Sequence, residues 1–205
     1  MTTRALVEAE AASYLHRTDM AAVITTFMDR ANTRICQDFR TTANTIINGV
    51  LTSGSGYLLP TNFKEAISVT AAGSGGNYAL VPISATQAAN YSSAGGGFPY
   101  GYYISGGYLF PVPTTTINVS LTCYVEVSIS PAGPTGTSLM LDTYTQAYLW
   151  YILMQCYLYI GASEESIGYL NLYLDEKDRA NAVNRQKTQP NSSVVGTTGV
   201  VVTAT

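Results

Sequence analysis

The segment that most constrains the fold is "LDTYTQAYLWYILMQCYLYI", residues 141–160. Apolar side chains occur on nearly all sides of a helix with this sequence, and Gln146 and Gln155 are polar exceptions. A helix without a polar face must be buried on most sides. We therefore predict a buried helix that is capped by Asp142 and ended by Gly161. The apolar run within it, Tyr144–Ile160, is shorter than the roughly 20 residues that cross a bilayer, which argues against a membrane span.

Helices are also predicted near the amino terminus. Residues 4–16 have the pattern of a short helix, and Thr18 or Asp19 can cap a second one. From Met20 onward, apolar residues recur at three- and four-residue steps and leave Asp29 off the stripe, which indicates an amphipathic helix. This predicted stripe consists of Val23, Ile24, Phe27, Ala31, Ile35 and Phe39.

A last helix is predicted after Gly161. Ser163 can cap it, and acidic residues follow in its first turn, where they complement the helix dipole. Its predicted apolar stripe is Ile167, Leu170 and Leu174, and Pro190 ends the pattern.

The middle of the chain changes to the pattern of β-strands. Residues 117–129 alternate apolar and polar side chains, as a half-buried antiparallel strand does. "ISGGYLF" predicts a hairpin with a two-residue Gly106-Gly107 turn. The other predicted strands are residues 57–60, 66–70, 78–83, 101–105 and 108–113. The fold class is therefore α+β: a helical bundle from the N- and C-terminal helices with an inserted antiparallel β domain.

Charge is scarce and segregated. The 205 residues are 46% hydrophobic but only 11% charged, and they include 16 tyrosines. Residues 41–141 hold just three charged side chains, Lys64, Glu65 and Glu126. Because stable interfaces are depleted in Lys, Glu and Asp and enriched in Tyr, this composition favours a protein that packs against protein. The net charge of −3 leaves no basic stripe for gripping nucleic acid.

Residues for catalysis or metal binding do not form a recognisable pattern. Three scattered cysteines favour neither a disulfide framework nor a zinc site, and suggest a reducing compartment. The single histidine, His16, is more readily a capping residue than a general base, although an enzyme built around His16 and Glu126 is a distant alternative. The start of the chain does not have the pattern of a signal peptide. We expect no enzyme activity, no cofactor and no metal.

The segment "GGGFPYGYYISGGYLFPVP", residues 95–113, is the strongest candidate interface. Tyrosine supplies a large contact area at small entropic cost, and the absence of charge avoids desolvating ions. An alternative is a carbohydrate- or receptor-binding module, with the tyrosines stacking on sugars. The predicted interface residues are Phe98, Tyr100, Tyr102, Tyr103, Tyr108 and Phe110.

Five segments, in order, resemble the head–tail adaptor (connector) proteins of tailed bacteriophages. They are "YLHRTDMAAVITTFMDRANTRICQDFR", "YLLPTNFKEAISVT", "FPYGYYISGGYLFPVP", "INVSLTCYVEVSIS" and "LDTYTQAYLWYILMQCYLYIGASEESIGYLNLYLDE". The resemblance implies a structural virion protein that forms a homo-oligomeric ring, usually of twelve copies, below the portal protein. It also implies that the ring holds the next tail component, a nozzle, tube or fibre. Double-stranded DNA would pass through its channel without sequence recognition.

This resemblance places the protein at the portal vertex of the virion, after synthesis in the host cytoplasm. We expect an adaptor domain over residues 1–187, with helices in 4–40 and 142–187 and the β insertion in 57–130. Residues 188–205 are predicted to be an extended C-terminal arm that docks on the portal, because this uncharged, valine-rich segment needs a partner. The arm residues are Pro190, Val194, Val195, Val200, Val201 and Val202.

Overall fold

The structure, a computed structural model, describes residues 2–17, 19–51, 56–73, 75–91, 97–114, 117–130 and 133–188. Within these ranges the α+β prediction is confirmed, with six α-helices and eight strands. The helices are α1 (Arg4–Leu15), α2 (Ala21–Asp38), α3 (Ala85–Tyr91), α4 (Leu139–Thr143), α5 (Thr145–Tyr159) and α6 (Ser163–Thr188). The strands are β1 (Thr45–Leu51), β2 (Tyr57–Leu58), β3 (Phe63–Gly73), β4 (Gly76–Ala79), β5 (Val81–Pro82), β6 (Gly101–Ser105), β7 (Tyr108–Val112) and β8 (Val119–Val125).

Helix α5 is the centre of the helical bundle. It packs against α1, α2, α4 and α6, and Tyr148, Leu149, Ile152 and Leu153 are fully buried in the core. The predicted buried helix is thus confirmed.

The predicted cap of this helix is wrong. Asp142 lies in the short helix α4, whose N-cap is Ser138, and the Asp142 carboxylate accepts a hydrogen bond from the backbone N–H of Thr2 at 2.7 Å. The chain bends at Tyr144 before α5 begins, so the capping position of α5 has no side-chain hydrogen bond.

Helix α2 buries the predicted stripe. Ile24, Phe27, Ala31 and Ile35 are in the helical core together with Phe39, which follows the helix, and Val23 is partly buried. The predicted N-cap is different. Met20 occupies the capping position, and Asp19 forms an ion pair with Arg17 instead. Thr18 lies outside the described residues.

The side of α6 that packs against the core differs from the side that its sequence predicts. Of the predicted stripe, Leu174 packs against the helical core, but Ile167 is 57% exposed and Leu170 is 37% exposed, whereas Ser166, Tyr173 and Ala180 are buried. Polar contacts favour this orientation. The hydroxyl of Tyr173 donates to Asp38 on α2 at 2.9 Å, and the Asn181 amide donates to the Asp38 carbonyl. Further along, the Asn184 amide donates to the hydroxyl of Tyr124 on β8. Ser163, the predicted cap, is the first residue of the helix.

Two four-stranded sheets make up the β part. The first has the order β1-β8-β3-β4 and the second the order β2-β7-β6-β5. The pairings are antiparallel except that β5 runs parallel to β6. Both sheets contribute to a second core, which includes Tyr57, Val69, Leu109 and Leu121.

The β part begins earlier than the predicted insertion, because β1 starts at Thr45 and pairs with β8. Beyond β8, Val127 is packed against both cores and joins the two halves of the molecule. Its carbonyl accepts hydrogen bonds from the Asn32 amide at 3.1 Å and from the Cys36 thiol at 3.7 Å. The Asn32 amide oxygen in turn accepts from the Tyr148 hydroxyl at 2.8 Å.

Candidate assembly surfaces

An aromatic strip covers the outer face of the second sheet. Tyr103 on β6 lies opposite Phe110 on β7, and their rings stack with centroids 5.0 Å apart and planes at 15°. Tyr108 follows on the same face, 6.3 Å from the Phe110 ring, and Leu58 on β2 lies opposite Tyr108. Because side chains alternate along a strand, all four side chains project from one side of the sheet. We call Leu58, Tyr103, Tyr108 and Phe110 the outer aromatic strip.

The other predicted interface residues lie elsewhere. Tyr102 belongs to the opposite face of β6 and is buried in the β core, so its side chain cannot meet a partner. Phe98 and Tyr100 precede β6 and are both 44% exposed. Tyr78 contacts Phe98 edge-on at 4.8 Å, and Tyr91 contacts Tyr100 edge-on at 5.4 Å.

Glycine allows the rings to lie close to the backbone. A Cβ atom at Gly56 would be 2.6 Å from the ring of Phe110. A Cβ atom at Gly73 would be 2.7 Å from the ring of Tyr78 and 2.8 Å from that of Phe98. These contacts are shorter than packed carbon atoms tolerate, so any other residue would displace the aromatic side chains.

The charged residues of the β part are all held at the junction with the helices. Lys64 pairs with Glu126 at 2.8 Å, and Glu65 pairs with Arg40 at 2.8 Å. Glu126 also accepts a hydrogen bond from Thr33 on α2. The outer aromatic strip therefore carries no charge of its own. The Glu126 carboxylate pairs with Lys64 inside the β part and contacts the helices through Thr33, and the ion pair between the two halves is Arg40 with Glu65.

His16 is placed as a capping residue. It ends α1 in the left-handed conformation with φ of 49°, and its backbone N–H donates to the carbonyl of Ser13. Its side chain is exposed.

The strongest pKa shifts belong to the core. Burial raises the pKa of the Tyr148 and Tyr173 phenols well above the usual value, and it raises the pKa of Cys156 to about 11. All three cysteines are free and buried. Within the described ranges, no group of three or more His, Cys, Asp and Glu side chains could hold a metal ion. No described helix is long and apolar enough to cross a membrane.

A second apolar surface, which the sequence did not predict, lies on the helical bundle. An open groove of about 400 Å³ lies between α2 and α5. It is lined by Val23, Thr26, Phe27 and Arg30 of α2 and by Gln155, Leu158 and Tyr159 of α5. Leu158 is 57% exposed and Tyr159 is 65% exposed. The sequence of α5 contains an indication of such a surface, because a small bundle cannot cover every side of a helix that is apolar all round. We call this groove the α2–α5 groove.

The residues of the predicted docking arm, Pro190, Val194, Val195, Val200, Val201 and Val202, lie outside the described residues. Helix α6 ends at Thr188, immediately before the arm.

Comparison with known proteins supports the resemblance seen in the sequence. No curated protein matches the chain. A family model described as SU10 adaptor protein matches residues 1–198, which include both cores and the two apolar surfaces. The match extends over nearly all of the chain and agrees with a phage head–tail adaptor. The chain therefore belongs to the SU10 adaptor protein family.

Proposed function

We propose that this adaptor is a structural component of the virion that forms a ring between the portal and the next tail component. The observation that carries this proposal is the outer aromatic strip, which carries no charge and in which Leu58 is 65% and Tyr108 is 43% exposed. Exposed apolar patches of this kind mark surfaces that bind protein. In the ring, the strip contacts a neighbouring subunit or the tail platform.

The distribution of charge supports a channel through which DNA slides. Each lysine or arginine that contacts phosphate adds a salt-sensitive attraction, which slows movement. Seven of the basic side chains form ion pairs within the chain, at residues 4, 17, 34, 40, 64, 177 and 179. Arg30 instead lies over the ring of Phe27 at 5.6 Å. The proposed channel wall is therefore neutral or acidic.

The outer aromatic strip is tested with Tyr108→Glu. The Tyr108 side chain is 43% exposed, so the change adds a charge to the strip without removing core packing. We expect fewer tailed particles when this variant complements an adaptor-deficient infection. Leu139→Glu is the matched control, because Leu139 on α4 is 61% exposed and lies outside the strip. Normal tail attachment with Tyr108→Glu would remove the strip from the proposal, and glycan binding by the wild-type strip would favour a receptor-binding role.

A further inference from the structure

Arg30 is unusual among the basic side chains that the structure describes. It is exposed, lines the α2–α5 groove and forms no ion pair within the described chain. Its guanidinium lies 5.6 Å from the centroid of the Phe27 ring, and the groove around it is largely apolar. A partner that fits this groove must therefore present apolar side chains together with a carboxylate.

The chain carries such a surface on another helix. Leu6, Glu10 and Tyr14 follow one another at four-residue steps on one side of α1. Leu6 is 59% exposed and Tyr14 is 47% exposed. Glu10, between them, forms no ion pair with any described side chain. We call these three residues the α1 ridge.

Other unpaired carboxylates within the described ranges fit less well. Glu164 and Glu165 lie in the first turn of α6, where they already complement the helix dipole. Asp175 is exposed on α6, two residues from Tyr173, which points to the core. Only for Glu10 do exposed apolar residues occupy the positions one helical turn before and after it.

The groove and the ridge lie on opposite sides of the bundle. Ala5, Ala9 and Ala12 of α1 face Ala21 and Ile24 of α2. At about 100° per residue, the α1 ridge is turned roughly 130° away from those alanines of α1. The groove residues Thr26 and Arg30 are likewise turned roughly 170° away from Ala21 and Ile24. Both surfaces therefore point away from the contact between α1 and α2.

We propose that the α2–α5 groove of one subunit receives the α1 ridge of the next, with Glu10 of the second copy beside Arg30 of the first. Two different surfaces on opposite sides of one molecule make a head-to-tail contact, and such a contact closes into a ring when its rotation allows. The contact buries the exposed Leu158 and Tyr159 and supplies Arg30 with a carboxylate. The C-terminal arm fits the groove less well, because residues 189–205 contain no Asp or Glu.

This inference rests on the proposed function, since it assigns the contact between subunits of the ring. The first test is a charge-swap cycle on the full chain. Assembly of each variant is measured by native mass spectrometry, once without and once with isolated portals. Arg30→Glu and Glu10→Arg should each raise the concentration needed for half-assembly roughly tenfold, and the double variant should restore it. Arg179→Glu is the control, because it makes the same change of charge at an exposed site on α6.

The second test uses cysteines and a short bis-maleimide. Thr26→Cys in the groove combined with Ser13→Cys beside the ridge should give a ladder of cross-linked multimers, because both positions are exposed and the native cysteines are buried. Thr26→Cys combined with Asn171→Cys, on the exposed side of α6, should give none. Rings that form without this ladder, or charge variants that the double swap does not rescue, would overturn the proposed contact and leave the ring intact. Failure of the wild-type chain to assemble, even on portals, would overturn the ring itself and this contact with it.

Discussion

Single polar residues connect the two halves of this molecule. Tyr148 is fully buried in the helical core, yet its hydroxyl reaches Asn32, whose amide reaches the carbonyl of Val127. Val127 packs against both cores. A buried tyrosine therefore helps to fix the position of the β part relative to the bundle.

Tyr148→Phe should lower the free energy of unfolding by about 1 kcal/mol, because it leaves the partly buried Asn32 oxygen without this donor. Urea unfolding monitored by circular dichroism measures the change. Tyr159→Phe is the matched control: this ring is largely exposed, so the same loss of a hydroxyl should change stability by less than about 0.5 kcal/mol. Equal effects of the two changes would contradict the role assigned to Tyr148.

At the scale of elements, the hairpin of β6 and β7 depends on its turn. Gly106 and Gly107 have φ of 58° and 81°, and Ser105 pairs with Tyr108 directly across them, as the sequence predicted. Residues with a Cβ atom avoid this left-handed region. The turn fixes the register, and the register places Tyr103, Tyr108 and Phe110 on one face.

Gly107→Ala should therefore destabilise the protein by about 1 kcal/mol and disturb the outer aromatic strip. Gly168→Ala is the control, and it should change the stability in the opposite direction. Gly168 lies within α6, and its added Cβ atom would contact nothing within 4 Å, so alanine should stabilise the helix by up to about 1 kcal/mol. Thermal melts of the two variants, which contain the same chemical change, distinguish turn strain from a general response to alanine. A Gly107→Ala melt no lower than that of the wild type would contradict the turn argument.

The elements that the sequence predicted well are those whose pattern has one physical interpretation. The stripe of α2 and the alternation in β8 each specify the buried face. In α6, the period was correct but the face was not, because Tyr173 and Asn181 bind α2 through hydrogen bonds that hydrophobic periodicity does not register. Strand β1 was missed because it is defined by pairing with β8, which is distant in the sequence.

The candidate surfaces, too, could be predicted only where the sequence pattern has one physical interpretation. The aromatic residues of the outer strip could be identified from composition and from the predicted hairpin, but the burial of Tyr102 depends on which face of β6 meets the core. The apolar circumference of α5 indicates that part of this helix needs further cover, but the position of the α2–α5 groove could not be identified, because the groove forms only when α2 and α5 meet. Sequence thus indicates which side chains favour an interface, whereas the fold decides which of them remain exposed.

At the scale of the whole molecule, the domain and the arm should be separable. The residues of the helical core lie between Val7 and Ala180, and those of the β core lie between Tyr57 and Val125. Deleting residues 189–205 should therefore leave the free energy of unfolding within about 0.5 kcal/mol of the full chain. The same deletion should sharply reduce tailed particles in an adaptor-deficient infection, because we propose that this arm binds the portal.

The expected binding of the arm to the portal comes from the burial of its five valines. Burying each of them contributes about 1.5 kcal/mol, part of which is offset by the cost of ordering the arm, and several arms on one portal bind with avidity. A full-length variant in which Val194, Val195, Val200, Val201 and Val202 are replaced by serine distinguishes apolar docking from chain length. It should fail in tail attachment as the truncation does, while native mass spectrometry still detects rings. Normal attachment by both variants would transfer portal binding from the arm to the helices, and attachment by the serine variant alone would leave the arm a role that depends on its backbone, as strand pairing does.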